Sequence, residues 1–232
     1  MEFFDSLIRD ISLLTEPLSK TELSFSDSGL WRDVGYSQVI LQRDTAFELD
    51  GTGFNLVTSS EIEDGIVVIG DDLQNIGEKR KFARVSLVQI ESEEDEQKAY
   101  NLIRKIEYVK YHHFPDGYMI RTSSRSHKEA VRVSKTALKS GISFQKIGSL
   151  LINKYKEIPA VKAVKVIFIT DPAADYTEIE NMAQKNNRIA ETLNHIMNSV
   201  TFDCDTCNLK PICDEVEGMK ELHFKNASQK DL

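Results

Sequence analysis

Cysteine is absent from the first 203 residues of this 232-residue chain. That excludes a framework of disulfides running through the fold, as small secreted domains use. Long apolar runs are also missing. No stretch approaches the roughly 18–20 consecutive apolar residues that a membrane-crossing helix needs, so no membrane partner is expected. Met1-Glu2-Phe3-Phe4-Asp5 has neither the basic start nor the small-residue cleavage site of a secretory signal, and a cytoplasmic protein is expected. No G-x-S-x-G, H-E-x-x-H or G-x-x-x-x-G-K-[ST] occurs, which removes the usual footholds for hydrolase, zincin and P-loop chemistry. Tryptophan is represented only by Trp31, expected in the core or at an interface. A hydrophobic fraction of 41% and a charged fraction of 28% fit a globular chain able to bury a core.

The cysteines that are present stand close together: Cys204, Cys207 and Cys213, spaced C-x2-C-x5-C. A CxxC pair brings two thiolates onto one tight loop, and a third cysteine nearby leaves one thiol over in any disulfide pairing. The spacing fits most of a [4Fe–4S] site or a tetrahedral zinc site, each needing one more donor, or else unligated thiols. His223, ten residues after Cys213, is the candidate fourth ligand.

Charge is unevenly placed. The net charge is −8, yet residues 101–166 hold 14 Lys and Arg against 4 Asp and Glu. A basic middle in an acidic chain points to a local anionic partner and away from nucleic acid, for which the domain as a whole would be basic. A helix expected over 127–139 would align Lys128, Arg132, Lys135 and Lys139 on one face, with Arg121 and Arg125 just before it. Such a face either contacts phosphates or is simply solvated. Asp50-Gly51-Thr52-Gly53 lacks the context of a phosphate loop and is expected to be a turn between strands. His112-His113 has no acidic partner at metal-ligand spacing.

Periodicity predicts an amphipathic helix over 3–15, then short strands at 38–41, 46–49, 55–57, 66–69 and 83–90. A helix carrying Ala99, Ile103 and Ile106 follows, then a strand at 118–121, helices over 127–139 and 143–156, and a strand over 161–170. Asp171-Pro172 looks like the cap and first residue of a last long helix reaching about Val200. The expected class is α+β: small mixed sheets flanked by long helices, with a Cys-rich loop segment at the C-terminus. The domain division expected is 1–200 and 201–232.

Three stretches resemble the β subunit of the CO dehydrogenase/acetyl-CoA synthase complex. They are Phe47–Phe54 followed by Glu61–Leu73, the segment Ile142–Asp171, and Cys204-x-x-Cys207, which falls where that family begins the ligands of its nickel–iron–sulfur centre. The resemblance implies one-carbon and acetyl-CoA metabolism in an anaerobe, with CO, a methyl group and coenzyme A joined by a transferase at a metal centre. It implies cluster ligation by Cys204, Cys207 and Cys213, CoA near Arg121, Arg125, Lys128, Arg132 and Lys135, and other subunits of such a complex as partners. The family's Cys-Gly-Cys nickel motif does not occur in these 232 residues. The expectation is therefore an accessory or partial subunit whose nickel ligands come from elsewhere, with enzymatic activity of its own left open. The alternative is a non-enzymatic iron–sulfur or zinc protein acting as sensor, electron carrier or scaffold.

Overall fold

The computed structural model describes residues 3–27, 30–91, 95–123, 127–198, 207, 209–216, 218–219 and 221–222. The proposed domain boundary near Ser199–Phe202, Cys204, Arg125 and His223 lie outside the described residues.

The strands are β1 (Lys20–Leu23), β2 (Thr45–Thr58), β3 (Gly65–Ile69), β4 (Arg80–Ile90), β5 (Tyr118–Thr122), β6 (Lys128–Ser134) and β7 (Val161–Ile169). They form one seven-stranded sheet in the order β1-β3-β7-β4-β2-β6-β5. The protein is α+β, as its patterning indicates, with its β-rich runs joined in a single mixed sheet. β2 runs parallel to β4 and β3 parallel to β7, while the other pairs are antiparallel. The central strands β3 and β4 are largely buried on both faces, as in a sheet covered on both sides.

The helices are α1 (Asp5–Thr15), α2 (Glu96–Val109), α3 (Lys135–Lys139), α4 (Phe144–Lys156), α5 (Tyr176–Asn198) and α6 (Lys210–Glu215). α4 packs on β7 and β3, while α5 packs on β2 and β4 and is joined there by α1. A Cβ on Gly148 would stand 2.5 Å from Ile66 Cγ1, so only glycine lets α4 lie this close to the sheet. Beside it Phe144 stacks on Phe168 at 4.4 Å between ring centroids. α2 touches β2, α4 and α5, lying beside the half of β2 that extends past its pairing with β6.

Several local expectations are corrected. Residues 127–139 are not one helix. Alternation places Glu129, Val131 and Val133 inward and Lys128 and Ala130 outward, so β6 forms, and Ser134 then caps the short α3 through Thr136 and Ala137 N–H. The Gly51/Gly53 stretch is not a turn but the middle of the continuous β2, which merges two expected strands. Residues 38–41 form no strand. Asp175, not Asp171, caps α5, accepting from Thr177 and Glu178 N–H at 3.1 and 3.0 Å.

Candidate functional site

The most deeply buried charges lie at the centre of the sheet. Arg84 and Glu129 are 4% and 1% exposed. Arg84 Nε donates to Glu129 Oε1 at 2.9 Å and Nη2 to Oε2 at 2.7 Å, while Nη1 donates to Ser86 Oγ at 2.8 Å. β4 and β6 flank β2, so the pair closes over β2 at Gly53. A Cβ there would stand 2.0 Å from Glu129 Oε2 and 2.9 Å from Arg84 Nη2. Glycine is thus required to let the pair meet.

Burial pushes the Arg84 guanidinium down, and Glu129 more than offsets it, holding the charge firmly. Around the pair, Tyr155 O–H donates to Asn55 Oδ1 and Asn55 Nδ2 donates to Ile106 C=O. Burial chiefly raises the Tyr118 and Tyr155 phenols, so both remain O–H donors at neutral pH. His113 is 2% exposed, and burial, with Arg84 and Lys154, pushes its imidazole down to about 3. His112 instead stacks on Tyr108 at 5.5 Å. Neither histidine faces a set of metal donors among the described residues. A buried arginine fully engaged by Glu129 and Ser86 ties together the strands that carry it.

The basic residues singled out in the sequence separate. Register places Arg121 opposite Ala130, which lies two residues from both Lys128 and Arg132, so all three cations share one sheet face. Arg132 is consumed there: Nε and Nη2 donate to Glu48 Oε1 at 2.9 and 2.6 Å, and Nη1 donates to Ile40 C=O at 3.0 Å. Lys135 leaves the group altogether, its Nζ donating to Arg43 C=O at 3.2 Å. Arg121 and Lys128 are exposed and make no ion pair among the described residues. Lys128 also edges a small cavity of about 190 Å³ with Lys81, Thr52 and Tyr176. The cation cluster is therefore real but smaller than the sequence indicates, and it is carried by a sheet.

A larger cleft, about 650 Å³, opens beside α3 between Trp31, Leu41, Arg43, Asp44 and Ser134. Trp31 is half-buried, its indole N–H donating to Asp116 C=O at 2.6 Å, with Lys146 Nζ 5.2 Å above the ring.

Of the proposed metal ligands, Cys207 and Cys213 are described, and both are half-buried. They bracket the turn into α6: Lys210 N–H donates to Cys207 C=O at 3.2 Å and Cys213 N–H to Leu209 C=O at 3.3 Å. Two soft thiols on one short segment suit a thiophilic centre such as iron–sulfur or zinc. Among the described residues no group of three or more His, Cys, Asp and Glu gathers to complete one. Among those residues, too, no helix is long and apolar enough to cross a membrane.

The ionic pair at Gly53 and the buried His113 were missed in the sequence. A usable signal existed: Arg84 and Ser86 interrupt one face of the otherwise apolar Phe82–Val88, and a polar pair inside a buried strand needs a partner.

Comparison with known proteins places this architecture. The family model described as CO dehydrogenase/acetyl-CoA synthase complex beta subunit matches residues 36–174, more than half of the chain. The match spans β2 through β7, including the Arg84–Glu129 pair and the basic face, and stops before the cysteine segment. No curated protein matches.

Proposed function

The chain belongs to the CO dehydrogenase/acetyl-CoA synthase complex beta subunit family, and from that premise we propose that it serves as an accessory subunit of such a complex, holding an iron–sulfur cluster and binding CoA. The cluster ligands are Cys204, Cys207 and Cys213, with His223 as the fourth. The placing of Cys207 and Cys213 at one turn supports this ligand set. When bound, the cluster supplies one-electron transfer; the thiolates of this segment hold it and fix its position beside α6.

The observation that carries the CoA reading is the open sheet face presenting Arg121 and Lys128. Two unpaired cations on a rigid face attract a polyanion without first breaking an ion pair. Arg132 supports that face by anchoring Glu48 and residue 40, and is assigned no contact with the ligand.

The test combines metal analysis with CoA titration on anaerobically purified protein. The expected result is about four irons and four acid-labile sulfides per chain, lost in Cys207→Ala, and saturable CoA binding that weakens in Arg121→Glu/Lys128→Glu. One zinc per chain without sulfide would replace the cluster by a structural clasp. Absence of both metal and CoA binding would overturn the proposal.

A further inference from the structure

A separate cleft of about 400 Å³ lies between α2 and α5, and neither the described cysteines nor Arg121 and Lys128 line it. Much of its wall is apolar or aromatic, with Ile103, Tyr108, Tyr111 and Leu193 contributing. Two buried polar side chains also line it, and neither is explained by the fold alone.

The first is Lys110, whose side chain is 5% exposed. Its Nζ donates to Glu107 Oε2 at 2.6 Å and lies 5.3 Å from the Tyr111 ring centroid. An ammonium has three N–H donors, and among the described residues Glu107 is the hydrogen-bond acceptor this one meets. Burial acts against its charge, and Glu107 more than offsets that, so it remains cationic.

The second is His127, 5% exposed, with neither ring nitrogen hydrogen-bonded among the described residues, although the Asn187 amide stands beside it. It is also the described non-glycine residue with positive φ, at 47°. Its carbonyl is gripped by Thr52 Oγ1 at 2.7 Å and Gly53 N–H at 3.1 Å. The backbone is therefore held in a sparsely populated conformation while the imidazole lines the cleft. A buried ring with two unmet nitrogens is costly, and an apolar residue would fill the position more cheaply.

We propose that this cleft is a binding site for a small organic monocarboxylate, whose carboxylate accepts from Lys110 and His127 while its apolar body lies along Tyr111 and Leu193. The donor set selects an acceptor group. Lys110 has N–H donors to spare and a neutral imidazole offers one more. Glu107 is taken by Lys110, and Glu191 accepts from Asn187 Nδ2 at 2.8 Å. Arg104 and Lys110 balance Glu107 and Glu191 in formal charge, so the lining accommodates a single added negative charge better than a phosphate dianion. The volume falls within the usual range for small-ligand pockets, about 300–1,000 Å³.

The bound carboxylate also couples to protons. Burial and Lys110 hold His127 below the ordinary histidine value, opposed by Asn187, Glu107 and Glu191. Arg104, also lining the cleft, adds a like charge. A carboxylate beside the ring favours its protonated form, so affinity rises as pH falls toward the value of the bound imidazole.

Benzoate and hexanoate are titrated into the full chain by calorimetry at pH 6 and pH 8, with benzyl alcohol as the uncharged comparison. The same titrations are made on Lys110→Met and on His127→Asn, since asparagine tolerates positive φ. Saturable carboxylate binding, tighter at pH 6, absent for benzyl alcohol and weakened about tenfold or more in each variant, is the expected result. In the wild-type protein the His127 ring resonances should also move with benzoate and not with benzyl alcohol, which decides the matter even where a variant unfolds. No saturable binding, unmoved His127 resonances, or equal affinity in folded variants would overturn the proposal.

Discussion

Arg84 and Glu129 belong to strands that do not pair with each other, yet their side chains meet over Gly53 of the strand between them. The pair therefore ties β4, β2 and β6 together, and it does so only while the middle strand has no side chain at that point. Gly53→Ala inserts a methyl group 2.0 Å from Glu129 Oε2 and must separate the pair or displace a strand. Glu129→Gln leaves Arg84 buried without its counter-charge. Each is expected to cost on the order of 3–5 kcal/mol of folding stability. Urea unfolding followed by circular dichroism measures it. Arg84→Met/Glu129→Leu removes both charges and should recover most of the loss of the single variant. A Glu129→Gln protein as stable as wild type would show that the pair does not hold the strands.

His113 predicts how stability follows pH. Its folded value is about 3, against about 6.5 in an unfolded chain. Between those values the unfolded chain binds the proton and the folded one does not. Stability is therefore fully present above about pH 6.5 and declines as pH falls toward 3, with a limiting slope of about 1.4 kcal/mol per pH unit from this one residue. The lowered His127 acts in the same direction. His113→Phe should flatten the dependence of unfolding free energy between pH 4 and 6.5. An unchanged slope would mean that His113 reaches water in the native state.

The start of α3 gives a smaller effect. Asp44 Oδ2 accepts from Ser134 Oγ at 2.6 Å, and Oδ1 accepts from Thr136 Oγ1 and N–H at 3.0 and 3.3 Å. Those bonds, with the hydroxyl of Ser134 leading, hold the Asp44 carboxyl below the usual range. Asp44→Ala is expected to cost about 1 kcal/mol and Ser134→Ala about the same. The two share one network, so a double-mutant cycle by thermal unfolding should give less than their sum. Strict additivity would mean that they act separately.

The sequence showed some of this plainly and hid the rest for identifiable reasons. α1, α2, α4 and α5 each present a continuous apolar stripe, Leu7 with Ile11 or Ile179 with Met182, and such stripes are legible at helical period. The residues of β6 also fit a helical pattern, because Lys128, Arg132 and Lys135 stand at spacings of four and three. The deciding signal was the inward Val131 and Val133, on a period of two. Gly51 and Gly53 look like turn residues in a single chain. Their real cause is the close approach of the Phe82 carbonyl and the Glu129 carboxylate, which come from segments far away in sequence. His127 had no local signal at all, because its cleft is assembled from α2 and α5 and its backbone is pinned by β2.

The separation of the basic residues yields the most discriminating prediction for the proposed CoA site. Arg121 and Lys128 are exposed cations on one sheet face, whereas Arg132, on the same face beyond Ala130, is bound to Glu48 and the residue 40 carbonyl. Removing an exposed, unpaired cation changes stability little, within about 0.5 kcal/mol, but removes an attraction for phosphate. Arg121→Ala and Lys128→Ala should therefore leave the unfolding midpoint near that of wild type while each weakens CoA binding several-fold, more at low ionic strength, where screening is least. Arg132→Ala should do the reverse, lowering stability by about 1–2 kcal/mol through the loss of its bonds to Glu48 and residue 40. Its effect on CoA should be small, provided the protein is measured well below its unfolding midpoint. Calorimetric titration at two salt concentrations, beside thermal unfolding of the same preparations, separates the three. Equal loss of CoA affinity in all three variants would return Arg132 to the binding face. No loss in any of them would place CoA elsewhere on the molecule.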